Sequence, residues 1–184
     1  MSGEFRERCS KIELVISDVD GVLTDGSVYL GEEGAEMKRF CIADGAGVAL
    51  ARTAGLRIAF LSGRHSLATA NRAQELGIQD VYNGCLNKLK PYLSLLKKYN
   101  LKEDAVAYLG DDLVDISVME RVGLPIAVRN AYEPVKTVAV YTTGARGGEG
   151  AFREAVDWIL RQRGIYTEVV EKLKAELLER VEDG

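Results

Sequence analysis

Six short apolar runs recur along the chain, each stopped by polar or glycine residues, and this repetition constrains the fold more than any single residue does. They are Glu13-Leu14-Val15-Ile16-Ser17, Leu56 to Leu61, Asp80 to Tyr82, Ala105 to Leu109, Leu124 to Val128 and Thr137 to Tyr141. Runs this short and this apolar read as buried strands. Between them lie helical patterns. Ser66 to Leu76 ends at Gly77, a natural C-cap, and Asn87 to Tyr99 has a proline near its start, where a missing N–H costs least. Asp112 to Arg121 and Gly148 to Arg163 are further helix candidates. Strands alternating with helices of this length make right-handed crossover units, so the sequence predicts an α/β fold with a doubly wound, mainly parallel, Rossmann-like sheet. Such sheets take ligands at the carboxyl ends of their strands, near a topological switch point.

One segment breaks the alternation. Ser27 to Leu30, Gly31-Glu32-Glu33-Gly34 and Ala35 to Phe40 read as a β-hairpin extension with a glycine-containing turn. No stretch between Asp25 and Ser62, or between Ser62 and Asp111, has the length of a separate lid domain. The chain of 184 residues suits one domain over 1–164, followed by a C-terminal amphipathic helix over 165–184 in which Ile165, Val169, Leu173, Leu177 and Val181 recur at every fourth residue. Glu168/Lys172 and Glu176/Arg180 offer helix-supporting pairs along it.

Composition excludes several classes. No run approaches the roughly 20 apolar residues of a membrane span. Met1 to Lys11 carries Glu4, Arg6, Glu7 and Arg8 and does not read as a signal peptide, so a cytoplasmic location is expected. A formal charge of −4 argues against a nucleic-acid partner. Three widely spaced cysteines, Cys9, Cys41 and Cys85, support neither a disulfide framework nor a zinc site.

The acidic residues matter by position. Asp18-Val19-Asp20-Gly21 follows the first strand, so two carboxylates project from a strand end, where close like charges need a cation or proton to offset them. Gly110-Asp111-Asp112-Leu113-Val114-Asp115 follows another apolar strand. Oxygen ligands of this kind suit Mg²⁺. The same cluster also suits a helix N-terminus, where Asp112 and Asp115 would meet the dipole, and both readings hold together if Asp111 serves the metal while Asp115 braces the loop. Ser62-Gly63 and Lys88 follow two further strands. A helix cap and a solvated lysine are the ordinary readings of those two. Taken in order, the strand ends offer acid pair, hydroxyl, cation and metal ligand.

In this combination the chain resembles the haloacid dehalogenase superfamily of phosphotransferases from Lys11 to Leu160, through Asp18-Val19-Asp20-Gly21-Val22-Leu23-Thr24-Asp25, Ser62-Gly63-Arg64, Lys88, and Gly110-Asp111-Asp112 with Asp115. The Gly-Val-Leu-Thr-Asp-Gly continuation, the absent lid and Gly147-Gly148-Glu149-Gly150-Ala151-Phe152-Arg153-Glu154 resemble the branch that dephosphorylates 3-deoxy-D-manno-octulosonate 8-phosphate in lipopolysaccharide precursor synthesis. The resemblance implies that Asp18 is the nucleophile and forms an aspartyl phosphate. It implies that Asp20 is general acid and base, and that Asp18, the Asp20 backbone carbonyl and Asp111 hold Mg²⁺. Ser62 and Lys88 would orient the phosphoryl oxygens, and Asp112 and Asp115 would support the metal ligands. Asp44, Gly45, Arg64 and Arg72, with Asp20 and Lys88, would meet the substrate, although Arg72 also suits a solvated helix face. His65, the one histidine, is paired with no nucleophile and is expected to be a bystander.

Ala43 and Ala49 stand where that branch is expected to carry arginine, which keeps a related nononate 9-phosphate phosphatase as the alternative; Ser62-Gly63-Arg64 favours the octulosonate. A signalling receiver domain shares the fold class and an acidic pocket, but its phosphorylated aspartate follows a middle strand. A non-catalytic scaffold is a third reading. The resemblance also implies a homo-oligomer, with the tetramer expected. In the resembled family such hairpins join subunits, and the Gly147 to Gly150 stretch would supply a flexible tail reaching a neighbouring site.

Overall fold

The computed structural model of the protein describes residues 2–182, and the side chains of residues 3–179. The first strand, β1 (Leu14–Ser17), lies inside the sheet and is buried along its whole length. It is followed by an antiparallel hairpin of β2 (Tyr29–Leu30) and β3 (Glu36–Met37), closed by a short turn at Glu32–Gly34. On one side of β1 lie β4 (Arg57–Ser62) and β5 (Asp80–Asn83); on the other lie β6 (Val106–Gly110), β7 (Leu124–Ala127) and β8 (Tyr141–Thr142). The six-stranded sheet has the order β5-β4-β1-β6-β7-β8, with every pairing parallel. The chain leaves β1 towards β5 and then returns to the other side at β6. The switch point is therefore the crevice between β1 and β6.

Helices cover both faces, which is why the central strands read as unbroken apolar runs rather than alternating ones. One layer joins α1 (Ser2–Lys11), α2 (Ile42–Thr53), α7 (Ala151–Arg163) and α8 (Tyr166–Glu182). The other joins α4 (Leu89–Tyr99), α5 (Leu113–Met119) and α6 (Glu133–Val138). The remaining helix, α3 (Leu67–Glu75), lies against β5 and the hairpin strand β3. Its N-cap is Ser66, whose hydroxyl accepts the Thr69 N–H. Fully buried Ile16, Phe60, Leu109, Phe152 and Ile159 fill the core between the layers, each contributing about 1.5–3 kcal/mol.

The structure corrects or extends the sequence reading at four points. The run Thr137 to Tyr141 is not one strand: α6 extends to Val138, and only Tyr141–Thr142 joins the sheet edge. A proline in the first turn of α6 sets its start, and its missing N–H costs nothing there. α2 was hidden by two glycines. One of them, Gly47, is required by packing, since a Cβ there would lie 2.8 Å from Arg153 Cα on α7. Along α8 the pair Glu168/Lys172 is not formed, and Glu171 and Lys174 pair instead at 2.6 Å; Arg180 and Val181 lie outside the described side chains. The helix folds back on its own chain, burying Val169 and bringing Glu176 to Thr53 Oγ1 at 3.1 Å.

The fourth correction concerns Gly147 to Gly150, which is a packed turn and not a flexible tail. A Cβ on Gly147 would fall 1.7 Å from the Gly21 carbonyl oxygen, and the Gly148 N–H bonds to Val22 O at 3.0 Å. The turn clamps the loop that carries Asp20. Among the described residues no helix is long and apolar enough to cross a membrane.

Candidate active site

The site is built where β1 and β6 end. The Asp18 N–H bonds to Leu109 O at 3.0 Å, extending the ladder by one residue and fixing the first carboxylate at the switch point. Lys88, just before α4, is 1% exposed, and its Nζ lies 2.5 Å from Asp18 Oδ1 and 2.6 Å from Asp115 Oδ1. A lysine is almost never this buried without paired charges. Burial alone would lower its pKa, but Asp18 and Asp115 outweigh that and raise it, so it stays charged.

Asp115 is saturated. Its Oδ1 also accepts the Tyr108 hydroxyl at 2.6 Å, and its Oδ2 accepts the backbone N–H of Asp111 at 3.0 Å and of Asp112 at 3.1 Å. Asp112 is the N-cap of α5, and its carboxylate accepts the Leu113 N–H in a reciprocal box with Asp115. These bonds fold the loop so that Asp111 turns towards Asp18. Gly21 permits the approach: its φ is +95°, and a Cβ there would sit 2.0 Å from Asp111 Oδ2.

Carboxylate oxygens of Asp18, Asp111 and Asp115 lie within 4.8 Å of one another. Burial raises the pKa of both Asp18 and Asp111; Lys88 pulls Asp18 back down, while the Asp18 charge pushes Asp111 further up. Asp111 Oδ1 is buried with no hydrogen-bond partner. An orphaned carboxylate oxygen beside a second buried carboxylate fits a hard divalent cation, the donor set Mg²⁺ prefers.

Asp20 faces the other way, towards the hairpin. Its Oδ1 lies 2.6 Å from Lys38 Nζ, and its Oδ2 is 3.4 Å from Ser62 Oγ. The single Ser62 proton is better placed on Arg64 O, at 2.7 Å. The Lys38 side chain is fully buried and also reaches Thr69 Oγ1 at 3.3 Å. Four carboxylates, Asp18, Asp20, Asp111 and Asp115, face two ammonium groups, Lys38 and Lys88. With all four carboxylates ionised, two negative charges are left over, which one divalent cation would offset.

The residues read from sequence as substrate contacts divide into two places. Arg64 lies at the rim, half-exposed, with Nη2 on Glu36 Oε2 at 2.8 Å. Arg72 is not on a solvated face: it is largely buried, donates to Cys41 O at 3.4 Å, pairs with Glu75 at 2.9 Å and lies over the Phe40 ring. A Cβ on Gly45 would come within 3.2 Å of Arg72 Nη2, so Gly45 lets the guanidinium seat against α2. The Asp44 side chain points to α7, accepting the Arg153 N–H at 3.0 Å, and burial pushes its pKa up to about 6. Gly84 packs on His65, which makes no ion pair among the described residues.

Sequence reasoning missed Lys38, Glu36 and Tyr108. The first two had a signal: period-two alternation in Glu36-Met37-Lys38 puts Glu36 and Lys38 on one face of the hairpin, opposite Met37, which is 61% exposed.

The family model described as haloacid dehalogenase-like hydrolase matches residues 68–153. The 3-deoxy-D-manno-octulosonate 8-phosphate phosphatase of Salmonella typhi is 42% identical over 164 residues, covering 89% of this chain and 87% of that protein. Among solved structures, that phosphatase from Moraxella catarrhalis, in complex with magnesium ion, phosphate ion and a KDO molecule, superposes with TM-score 0.88 at 34% identity, covering 92% of this chain and 97% of its own. A cobalt-bound form of the deoxy-D-mannose-octulosonate 8-phosphate phosphatase from Haemophilus influenzae gives TM-score 0.83 at 36% identity, covering 86% and 93%.

Proposed function

This chain belongs to the haloacid dehalogenase-like hydrolases, and we propose that it is the phosphatase that converts 3-deoxy-D-manno-octulosonate 8-phosphate to the free sugar acid and phosphate. The observation that carries the chemistry is the buried Lys88–Asp18 pair at 2.5 Å beside the orphaned Asp111 oxygen. It supplies an oriented nucleophile, a fixed ammonium and an unshared carboxylate oxygen where β1 and β6 end. The 42% identity to a relative of that named activity supports the substrate.

Phosphate monoesters are among the slowest bonds to hydrolyse unaided, and enzymes accelerate them by up to about 10²¹-fold. Covalent catalysis divides the barrier. An Asp18 oxygen attacks phosphorus to give an aspartyl phosphate, and Asp20 gives its proton to the departing sugar oxygen. Asp20 then takes a proton from the water that releases phosphate and restores Asp18. Asp18, the Asp20 carbonyl and Asp111 would hold Mg²⁺, which when bound offsets repulsion between the anionic nucleophile and the anionic phosphate. Lys88, whose ammonium has a third proton beyond those given to Asp18 and Asp115, orients the phosphoryl oxygens, and Ser62 would join it by turning its hydroxyl from Arg64 O. Arg64 at the rim and Arg72 beside α2 would meet the substrate carboxylate and sugar, with Gly45 letting Arg72 seat against α2 and Asp44 bracing that turn against α7.

We further propose that the phosphatase unit spans 1–164, with the segment 165–184 appended to it, and that it works in the cytoplasm as a homotetramer. Exposed Leu30, Met37, Ile42, Leu67 and Leu86 at the strand-end rim support assembly, since a second copy would cover them. The test is phosphate release from a panel of phosphorylated sugar acids with Mg²⁺. The octulosonate 8-phosphate should give the highest kcat/KM; preference for the nononate 9-phosphate would select the alternative.

A further inference from the structure

We infer that Lys38 is a positioning residue of the reaction, acting through Asp20: the hairpin delivers a buried ammonium that fixes which oxygen of Asp20 handles the proton. The inference rests on the reading of Asp20 as general acid and goes beyond it by naming the group that orients it.

Three observations support it. The Lys38 side chain is wholly buried, although its neighbour Met37 faces solvent, so the ammonium is brought inward by the strand's alternation and not left at the surface by chance. Among the described residues Asp20 makes its one ion pair with Lys38, at 2.6 Å through Oδ1. Its Oδ2 has only the long 3.4 Å contact with Ser62 Oγ, whose proton is engaged by Arg64 O. The two oxygens are thus inequivalent: Oδ1 is buried against the ammonium in an ion pair with no aligned hydrogen bond, and Oδ2 has only the long hydroxyl contact.

The chemistry follows from that asymmetry. As the Asp18 oxygen bonds to phosphorus and the bond from phosphorus to the sugar oxygen breaks, the proton on Asp20 Oδ2 moves to the departing sugar oxygen. The carboxylate left behind carries its new negative charge beside Lys38. In the second half Oδ2 takes a proton from water as the water oxygen bonds to phosphorus, the Asp18–phosphorus bond breaks and phosphate leaves. Lys38 touches none of the reacting atoms. Thr69 Oγ1 holds the ammonium at 3.3 Å, and Glu36, at 3.7 Å from Lys38 and 2.8 Å from Arg64, ties the hairpin to the rim.

A leaving-group comparison tests this. Lys38→Met, Lys38→Arg and Asp20→Asn enzymes are assayed with the sugar phosphate, whose alkoxide must be protonated, and with nitrophenyl phosphate, whose phenolate leaves without a proton. The ratio of the two kcat/KM values does not depend on the fraction of enzyme folded. Lys38→Met should lose about 10–10²-fold on the sugar phosphate and less than about 3-fold on the aryl ester, Lys38→Arg should recover part of the ratio, and Lys38→Met should add nothing in the Asp20→Asn background. Equal losses on both substrates, or additive losses in the double variant, would overturn the role of Lys38. If Asp20→Asn itself shows no leaving-group dependence, the general-acid reading fails instead.

Discussion

Lys88 Nζ stands 2.5 Å from Asp18 Oδ1 inside the protein, and the same ammonium holds the fully buried Asp115 at 2.6 Å. Lys88→Met keeps the volume and removes the charge, leaving two buried carboxylates unpaired. Breaking such a pair costs about 3–5 kcal/mol. At about 2–4 °C per kcal/mol for a chain of this size, the metal-free variant should melt on the order of 10 °C lower by circular dichroism. A Tm within about 2 °C of the parent would show that the pair carries no such weight.

Asp111 Oδ1, buried without a partner, predicts a metal-linked gain in stability as well as activity. Mg²⁺ at about 100 times its Kd should add roughly 2.7 kcal/mol, raising Tm in a calorimetric titration. Chelator should remove turnover and Mg²⁺ should restore it. The Asp111→Asn enzyme should show neither response. Full activity in excess chelator would refute the metal site.

Asp44 sets a pH dependence of opposite sign to the usual carboxylate. Burial raises its pKa to about 6, with the Arg153 and Phe152 N–H groups opposing, so between the ordinary carboxylate range and pH 6 the folded state binds more protons than the unfolded. Its contribution is present below the ordinary range and is lost as pH rises through about 6. Asp44→Asn still accepts the Arg153 N–H and has no charge to bury. Denaturant unfolding across this window should therefore show a flatter profile for the variant; an identical slope in both proteins would remove Asp44 as the cause.

Leu30 and Met37 of the hairpin are exposed, as are Ile42 and Leu67 at the starts of α2 and α3, and a second copy would bury them. Sedimentation at micromolar concentration should give a tetramer, and Leu30→Lys with Met37→Lys should split it. A fully active monomer of the parent chain would contradict the assembly.

Much of this was legible in the chain because strand burial on both faces writes itself as unbroken apolar runs, and because Asp18, Ser62, Lys88 and Asp111 each follow such a run. What was hidden depends on partners remote in sequence. Gly47 looks like a loop residue until the Arg153 backbone of α7 is seen against it. Thr137 and Val138 favour a strand locally, but the proline-led turn of α6 and its packing prevail. Gly147 to Gly150 reads as flexible, yet Gly147 is glycine because the Gly21 carbonyl leaves no room for a side chain. Lys38 shows its face by alternation and its depth only in three dimensions, since Asp20 and Thr69 come from other elements.

The central claim, that Asp18 carries the phosphoryl group, is tested most directly by trapping it. With Asp20→Asn, attack by Asp18 persists while water activation slows by roughly 10²–10⁴-fold, so the intermediate should accumulate on an aryl phosphate that needs no acid. Acid quench during turnover and peptide mass spectrometry should find one phosphoryl group on Asp18 and none in the Asp18→Asn, Asp20→Asn double variant. An unmodified Asp18 peptide in enzyme that is still turning over, or near-normal turnover by Asp18→Asn alone, would contradict the mechanism.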